Sequence, residues 1–375
     1  MLRGYASVPV ARPFIFMERE RKIDGGQGAV GHQPIGNKAS QKSRRIKNVT
    51  SRWEKGCKVI VFGGSGFLGR HTVEALAQDG WRVCAAVRRP ELADHLQPLG
   101  EIGQIYALQA NVRFADSVRR VVERADAVVN LVGIFASSRP QTFEAVHVAG
   151  ARAIAKAARE AGVKTLVHVS ALGASPKSPS RFARSKAAGE STVLAEFSDS
   201  VILRPSVLFG PEDRLFNRFA AMARLSPLLP LAGGGKSNFQ PVYAGDVAAA
   251  IAAACAGRAL PSSVYELGGP EVMNLREIMH RALQWSGRRR CHPYVPFWLA
   301  KLGTLLGLPL PTGWHPATVD QIRLLERDNV VSECAEATRR TLAGLGVEHP
   351  LTTISIVPSY LEQFHPRGQF AHYRL

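Results

Sequence analysis

Gly63, Gly66 and Gly69 recur at every third position in Gly63-Gly64-Ser65-Gly66-Phe67-Leu68-Gly69, directly after the apolar run Val59-Ile60-Val61-Phe62. Glycines so spaced let a chain turn sharply, let backbone approach a ligand without side chains, and let the next helix pack closely. The amides at that helix's amino end then offer hydrogen bonds and partial positive charge to an anion. Three glycines alone are a weak signal, but between a buried strand and an amphipathic helix they are a strong one. The chemistry implied is capture of a dinucleotide pyrophosphate by Gly63, Ser65, Gly66, Phe67, Leu68 and Gly69.

A second cluster fixes which dinucleotide is expected. An NAD-preferring site carries Asp or Glu about 20 residues beyond the loop, to hold the ribose 2′-hydroxyl. Here the second strand instead runs into Val87-Arg88-Arg89-Pro90. Guanidinium groups suit a 2′-phosphate, so NADPH is the favoured cofactor, with NAD(H) possible. The five cysteines are scattered with no CxxC pair, which argues against a disulfide framework or metal site and fits a reducing compartment.

Alternating elements must position these groups. Apolar runs at Val59–Phe62, Trp81–Val87, Gln104–Leu108, Ala127–Leu131, Val163–Ser170 and Ser200–Leu203 read as buried parallel strands. Between them lie helical patterns over Leu68–Gln78, Glu91–Leu96, Phe114–Arg124, Thr142–Glu160 and Ser180–Glu196. This implies an α/β fold, a Rossmann-type doubly wound parallel sheet with a smaller C-terminal α/β lobe. Residues 56–210, completed by 240–268, are expected to form the dinucleotide-binding domain. Residues 211–375 are expected to supply the smaller lobe and tail, with helices at Ala244–Ala256, Leu275–Ser286 and Phe297–Leu306.

The 375 residues carry a formal charge of +18, of which residues 1–55, with 12 basic and 4 acidic side chains, supply +8. That stretch lacks usable periodicity and reads as a disordered basic extension, an organelle-targeting segment, or sequence upstream of the true start. No nucleic-acid-binding motif accompanies the charge, so nucleic acid is not an expected partner. No apolar run reaches the roughly 20 residues that a spanning helix needs. The segment 294–311 is apolar nearly all round, with Lys301 its only charge and Arg288-Arg289-Arg290 nearby. It reads either as a buried lid helix or as a peripheral contact for membrane, quinone or another subunit.

Beyond the glycine loop, Asn130-Leu131-Val132-Gly133, Ser170 at the end of Val167-His168-Val169, Ser185-Lys186, and Leu203-Arg204-Pro205-Ser206 resemble the atypical, extended branch of the short-chain dehydrogenase/reductase family. Phe209-Gly210-Pro211-Glu212-Asp213, Gln240-Pro241-Val242-Tyr243, Asp320-Gln321 and Asp328-Asn329-Val330 are similar to the subgroup containing the nucleotide-binding accessory subunit of respiratory complex I and its bacterial homologues. The resemblance implies that Val132, Gly133, Pro205 and Ser206 lie along the cofactor and that Asn111 stands beside the adenine. It also implies that Lys186 holds the nicotinamide ribose, while Ser170 orients the carboxamide or merely ends the strand. His147 and His168 read as structural.

One departure changes the expected chemistry. The family's enzymes use Tyr-x-x-x-Lys, the tyrosine donating a proton as hydride arrives, but four residues before Lys186 stands Phe182. A phenyl ring has no exchangeable proton, and a general acid typically contributes about 10²–10⁴-fold. The expectation is therefore an NADPH-binding protein that is catalytically weak or silent. Its expected partners are respiratory complex I subunits or proteins of quinone biosynthesis, at the cytoplasmic face of a bacterial inner membrane or in the cytoplasm, or alternatively on the matrix side of the mitochondrial inner membrane. The alternatives are an active NADPH-dependent reductase or epimerase, with water or Tyr243 as proton donor, and a nucleotide-sensing regulator.

Overall fold

The computed structural model describes residues 56–305, 318–366 and 368. The expected amino-terminal extension and the 306–311 end of the apolar segment lie outside these residues.

Seven parallel strands form the central sheet: β1 (Lys58–Phe62), β2 (Arg82–Val87), β3 (Ile105–Gln109), β4 (Ala127–Asn130), β5 (Thr165–Val169), β6 (Val201–Pro205) and β7 (Ser263–Leu267). Their spatial order is β7-β6-β5-β4-β1-β2-β3, so the winding reverses between β1 and β4. That reversal opens a crevice at the strands' carboxyl ends, where doubly wound proteins bind ligands. The register brings the ends level there, since Phe62 pairs with both Ala86 and Asn130, and Asn130 with His168.

Alternation within β1 builds both faces. Val59 and Val61 join one core cluster and Ile60 and Phe62 the other. Truncating the fully buried Ile60 to alanine would cost about 2–5 kcal/mol. On the first face lie α1 (Phe67–Gln78) and, further along the chain, α6 (Ala244–Cys255). The run of alanines in α6 lets it pack closely. The second face takes α2 (Ala115–Val122), α3 (Gly150–Glu160) and α4 (Arg181–Glu196). The helix expected over Glu91–Leu96 is instead spanned by two 3₁₀ turns, Pro90–Leu92 and Asp94–Leu99, the second holding Pro98, which has no amide for an α-helical ladder. The expected helix over 142–160 begins as a π-helical stretch, Glu144–Ala149, before α3.

A third core lies under α5 (Phe216–Leu225), α7 (Leu275–Trp285) and α11 (Thr353–Leu361). Tyr360 on α11 donates to Asp213, which also accepts from the amides of Leu215 and Asn217 at 2.9 and 3.1 Å at the start of α5. Three shorter helices complete the lobe: α8 (Phe297–Leu305), α9 (Val319–Leu324) and α10 (Glu333–Ala337). Trp298, Leu299 and Leu302 on α8 are exposed. Among the described residues, no helix is long and apolar enough to cross a membrane.

Candidate functional site

The glycine loop shows why side chains are excluded. Gly63 has φ +84°, and a Cβ at Gly69 would lie 2.3 Å from the Gly63 carbonyl oxygen and 2.5 Å from that of Gly64. Helix α1 therefore crosses the loop backbone at contact distance. Gly66, at its N-cap, provides no side-chain bond to the first turn, leaving the leading amides for an anion. The Leu68 side chain is buried in the core, so this residue can offer a ligand only backbone, whereas Ser65 and Gly66 stand at the surface of the turn.

At the outer end of the crevice, Arg88 and Asn111 line a cavity of about 340 Å³. Arg89 is exposed and is not among the cavity's walls.

At the inner end, β4 leads into Leu131, Val132 and Gly133. Asn130 accepts from the Val132 amide (3.1 Å), and its own amide meets His168 Nδ1 (3.0 Å). A Cβ at Gly133 would sit 3.3 Å from Lys186 Nζ, so a bare glycine separates that ammonium from the crevice. Lys186 is buried and donates to the Val169 carbonyl at 3.1 Å. An ammonium has three donors, so the bond to Val169 leaves two more. Burial pushes its pKa down to about 8, against an upward pull from Glu190. Ser170 is buried and its hydroxyl has no protein partner. Ser206 gives its hydroxyl to Asn329 Oδ1 at 2.6 Å, which pins the C-terminal segment beside the crevice. Pro205 ends β6, and its carbonyl accepts from the Leu172 amide at 2.9 Å.

Phe182 occupies the position one turn before Lys186, inside an aromatic cage. Phe135 stacks on it with centroids 5.1 Å apart, and Phe143 and His147 meet it edge-on at 6.2 and 5.7 Å. His147 accepts from the Ile134 amide at 3.0 Å through Nε2, so its proton is on Nδ1, facing Ser185 Oγ at 2.8 Å. Burial, then Lys186, push the His147 ring down to about 3. Burial, Lys186 and His147 do the same to His168, whose Nε2 is buried without a partner. Both rings are neutral at ordinary pH. The Tyr243 ring packs against His71 and Phe209, its centroid 5.8 Å from each.

The sequence marks Asp320 only as part of the family resemblance and not for the role it takes here. Its carboxylate accepts from Ser180 Oγ at 2.9 Å and from the amides of Arg181 and Phe182 at 2.6 and 2.9 Å. It thus satisfies the first amides of the helix that carries Phe182 and Lys186, while Ser180 accepts from Ala183. No spacing in the sequence marks a cap supplied from 140 residues away. The local signal is that Asp320 lies inside the Thr318–Gln321 capping box of α9.

The sheet, the glycine cradle and the buried lysine beside an unpartnered serine define a Rossmann protein of the nicotinamide-dinucleotide-binding class. Residues 59–268 match the model of the NAD dependent epimerase/dehydratase family, and the chain belongs to that family. It is 37% identical over 294 residues to the mitochondrial NADH dehydrogenase [ubiquinone] 1 alpha subcomplex subunit 9 of Arabidopsis thaliana, covering 75% of this chain and 72% of that protein. It is 34% identical over 197 residues to a ceramide reductase of Caulobacter vibrioides, covering 52% and 60% respectively. Among solved structures, an Escherichia coli NADPH-dependent quinone oxidoreductase complexed with NADPH superposes with TM-score 0.62 at 21% identity, covering 81% of this chain and 99% of that one. At that identity the likeness speaks for the fold.

Proposed function

We propose that this chain is an NADPH-binding accessory or assembly protein of respiratory complex I or of ubiquinone metabolism, with weak or silent catalysis. The observation that carries the reading is the contrast between a complete dinucleotide cradle and a phenylalanine cage at the proton-donor position. The amides of Ser65, Phe67 and Leu68 would hold the pyrophosphate, that of Gly66 being given to the Gly63 carbonyl at 3.0 Å, and Asn111 would meet the adenine. Val132 and Gly133 would lie along the cofactor, Lys186 would hold the nicotinamide ribose, and Ser170 would meet the carboxamide. When bound, the nucleotide supplies a hydride-transfer couple. The chain's own residues orient and enclose it but place no hydroxyl on Phe182 for protonating a carbonyl. Bound nucleotide then stabilises the fold by mass action, because it binds only the native state.

The relative from Arabidopsis thaliana, named as a mitochondrial NADH dehydrogenase subunit, supports the partner assignment. The exposed α8 face near Arg288, Arg289 and Arg290 supports a peripheral contact with a membrane or neighbouring subunit through 294–305. The setting would be the cytoplasmic face of a bacterial inner membrane or the mitochondrial matrix side.

A second reading, an active NADPH-dependent reductase, draws on the retained Ser170 and Lys186 and on the likeness to a ceramide reductase. The variant Phe182→Tyr separates the two. In an impaired enzyme it raises carbonyl reduction by at least about 10-fold; in an accessory protein it leaves turnover at background. Co-migration of the tagged chain with complex I on a native gel tests the partner, and migration away from it overturns that assignment.

A further inference from the structure

Two side-chain amides tie together the strand ends at the inner side of the crevice. Beyond β5 the Ser170 and Leu172 amides donate to the carbonyls of Leu203 and Pro205 on β6, at 2.7 and 2.9 Å. Beyond β6 the Ser206 amide donates to the Leu267 carbonyl of β7 at 2.9 Å. The sheet therefore runs on past its last strand residues where Ser170 stands. Asn329 closes this extension: its Oδ1 accepts from Ser206 Oγ at 2.6 Å and its Nδ2 donates to the Leu172 carbonyl at 3.2 Å. A carbonyl can only accept, so the amide nitrogen must face Leu172 and the oxygen is left for the serine hydroxyl. The backbone of Asn329 is held separately, its amide donating to the Asn238 carbonyl at 2.7 Å and its carbonyl accepting from the Gln240 amide at 3.1 Å. Gln240 repeats the device one strand over, accepting from the Val331 amide at 2.9 Å and donating to the Gly269 carbonyl at 2.8 Å.

We infer that Asn329, which lies beyond the 59–268 span matched to the family, is a positioning residue for the nicotinamide end of the bound dinucleotide, an inference that rests on the dinucleotide reading above. Ser170 and Ser206 are both buried, yet the Ser206 hydroxyl is taken by Asn329 while that of Ser170 has no protein partner. A buried hydroxyl left without a partner is costly, and a ligand carboxamide in the crevice would supply one. Asn329 fixes where that hydroxyl stands from two sides, through Leu172 two residues further on and through Ser206 on the neighbouring extension. Both ends of its side chain are spent on protein, so it acts through Ser170 and the 170–172 backbone and not on the ligand itself. Among the described residues, neither Asn329 nor Gln240 bonds to β1, β2 or β3, the strands that lead to the adenine end. Loss of the Asn329 side chain would therefore be felt at one end of the dinucleotide and not at the other.

Equilibrium titrations of the full chain with NADPH and with 2′-phospho-ADP-ribose, the same molecule without its nicotinamide, read the two ends apart. NADH and ADP-ribose repeat the comparison without the 2′-phosphate. Asn329→Ala should weaken NADPH by about 10-fold for two hydrogen bonds lost, leave 2′-phospho-ADP-ribose within about two-fold, and move the emission of bound NADPH toward that of free NADPH. Asn329→Asp is the same size and keeps the test open if the alanine variant fails to fold. It retains an acceptor for Ser206 but sets a carboxylate oxygen against the Leu172 carbonyl, so it should show the same selective loss. Equal weakening of NADPH and 2′-phospho-ADP-ribose would mark Asn329 as merely structural and overturn the inference. So would an Asn329→Asp variant that binds NADPH like wild type. A wild type that binds the nicotinamide-free molecules as tightly as the dinucleotides would overturn the inference and leave the glycine-loop reading standing. Binding of none of the four would overturn both.

Discussion

The two ends of the crevice are built from opposite chemistry. At the glycine loop, glycines bring backbone to the surface and no side chain caps the first turn of α1, an arrangement suited to an anion. Around Phe182 the polar groups are largely taken up within the protein: His147 by Ile134 and Ser185, and the amino end of α4 by Asp320. Where the family's enzymes present a tyrosine hydroxyl, this chain presents four stacked or edge-on rings. In the proposed reading, the difference teaches that a Rossmann fold can keep its glycine cradle while the tyrosine position is given over to packing. The Lys186 ammonium and the Ser170 hydroxyl stand at the inner end too, and in the proposed reading they serve binding without a tyrosine to complete the catalytic set.

The largest break in that comparison comes from Gly69→Val. Its Cβ would collide with two carbonyl oxygens, so NADPH binding should fall by more than about 100-fold, since a 1 Å misplacement alone can cost about that much. Thermal shift with and without NADPH reads the loss. Lys186→Ala should be next, weakening NADPH by about 10–100-fold for a charge-assisted hydrogen bond removed, as read by fluorescence titration.

The protonation of Lys186 sharpens the point. Its pKa falls from 10.5 to about 8 in the fold, so NADPH affinity should decline as pH rises through 8. The fold's own stability should move the other way. Between pH 8 and 10.5 the unfolded chain holds a proton that the native state has released, so this group stabilises the fold as pH rises. Denaturant melts of wild type against Lys186→Met, across that window, isolate the effect.

The histidines predict an acid limb. Both are held at about 3 against an ordinary 6.5. Below pH 6.5 the unfolded chain takes up protons that the native state refuses, so the stability they contribute is full above 6.5 and is lost as pH falls toward 3. His147→Gln should flatten that limb in melts run from pH 7 to pH 4. The smallest effect belongs to Asp320→Ala, which removes the distant cap of α4. It should lower unfolding free energy by about 1–2 kcal/mol and, by loosening the helix that carries Lys186, weaken NADPH a few-fold. Asp320→Asn should recover part of each.

The sheet was legible through β6 because buried parallel strands read as short apolar runs, and because the glycine loop fixes where the first crossover begins. Legibility fell where local and tertiary signals part. Where Glu91–Leu96 reads as a helix, two 3₁₀ turns stand, the second holding Pro98. The helix α5 lies between Pro211 and Pro227, in a stretch that reads as loop, and α11 carries Pro358 in its interior. At the site, the spacing of Phe182 and Lys186 was readable because it is local. The bonds from Asp320 to α4 and from Asn329 to Ser206 span more than a hundred residues and leave no periodic trace.

The central claim is binding without ordinary reductase chemistry, and it is tested most directly on protein purified without added cofactor. Bound nucleotide would be released and identified, and oxidation of added NADPH followed with a panel of carbonyls and quinones. The account predicts that NADPH is retained and that its oxidation stays at the rate seen without protein. Steady turnover that is abolished by Lys186→Ala would contradict the silent-site reading. Absence of any dinucleotide, bound or bindable, would contradict the account at its root.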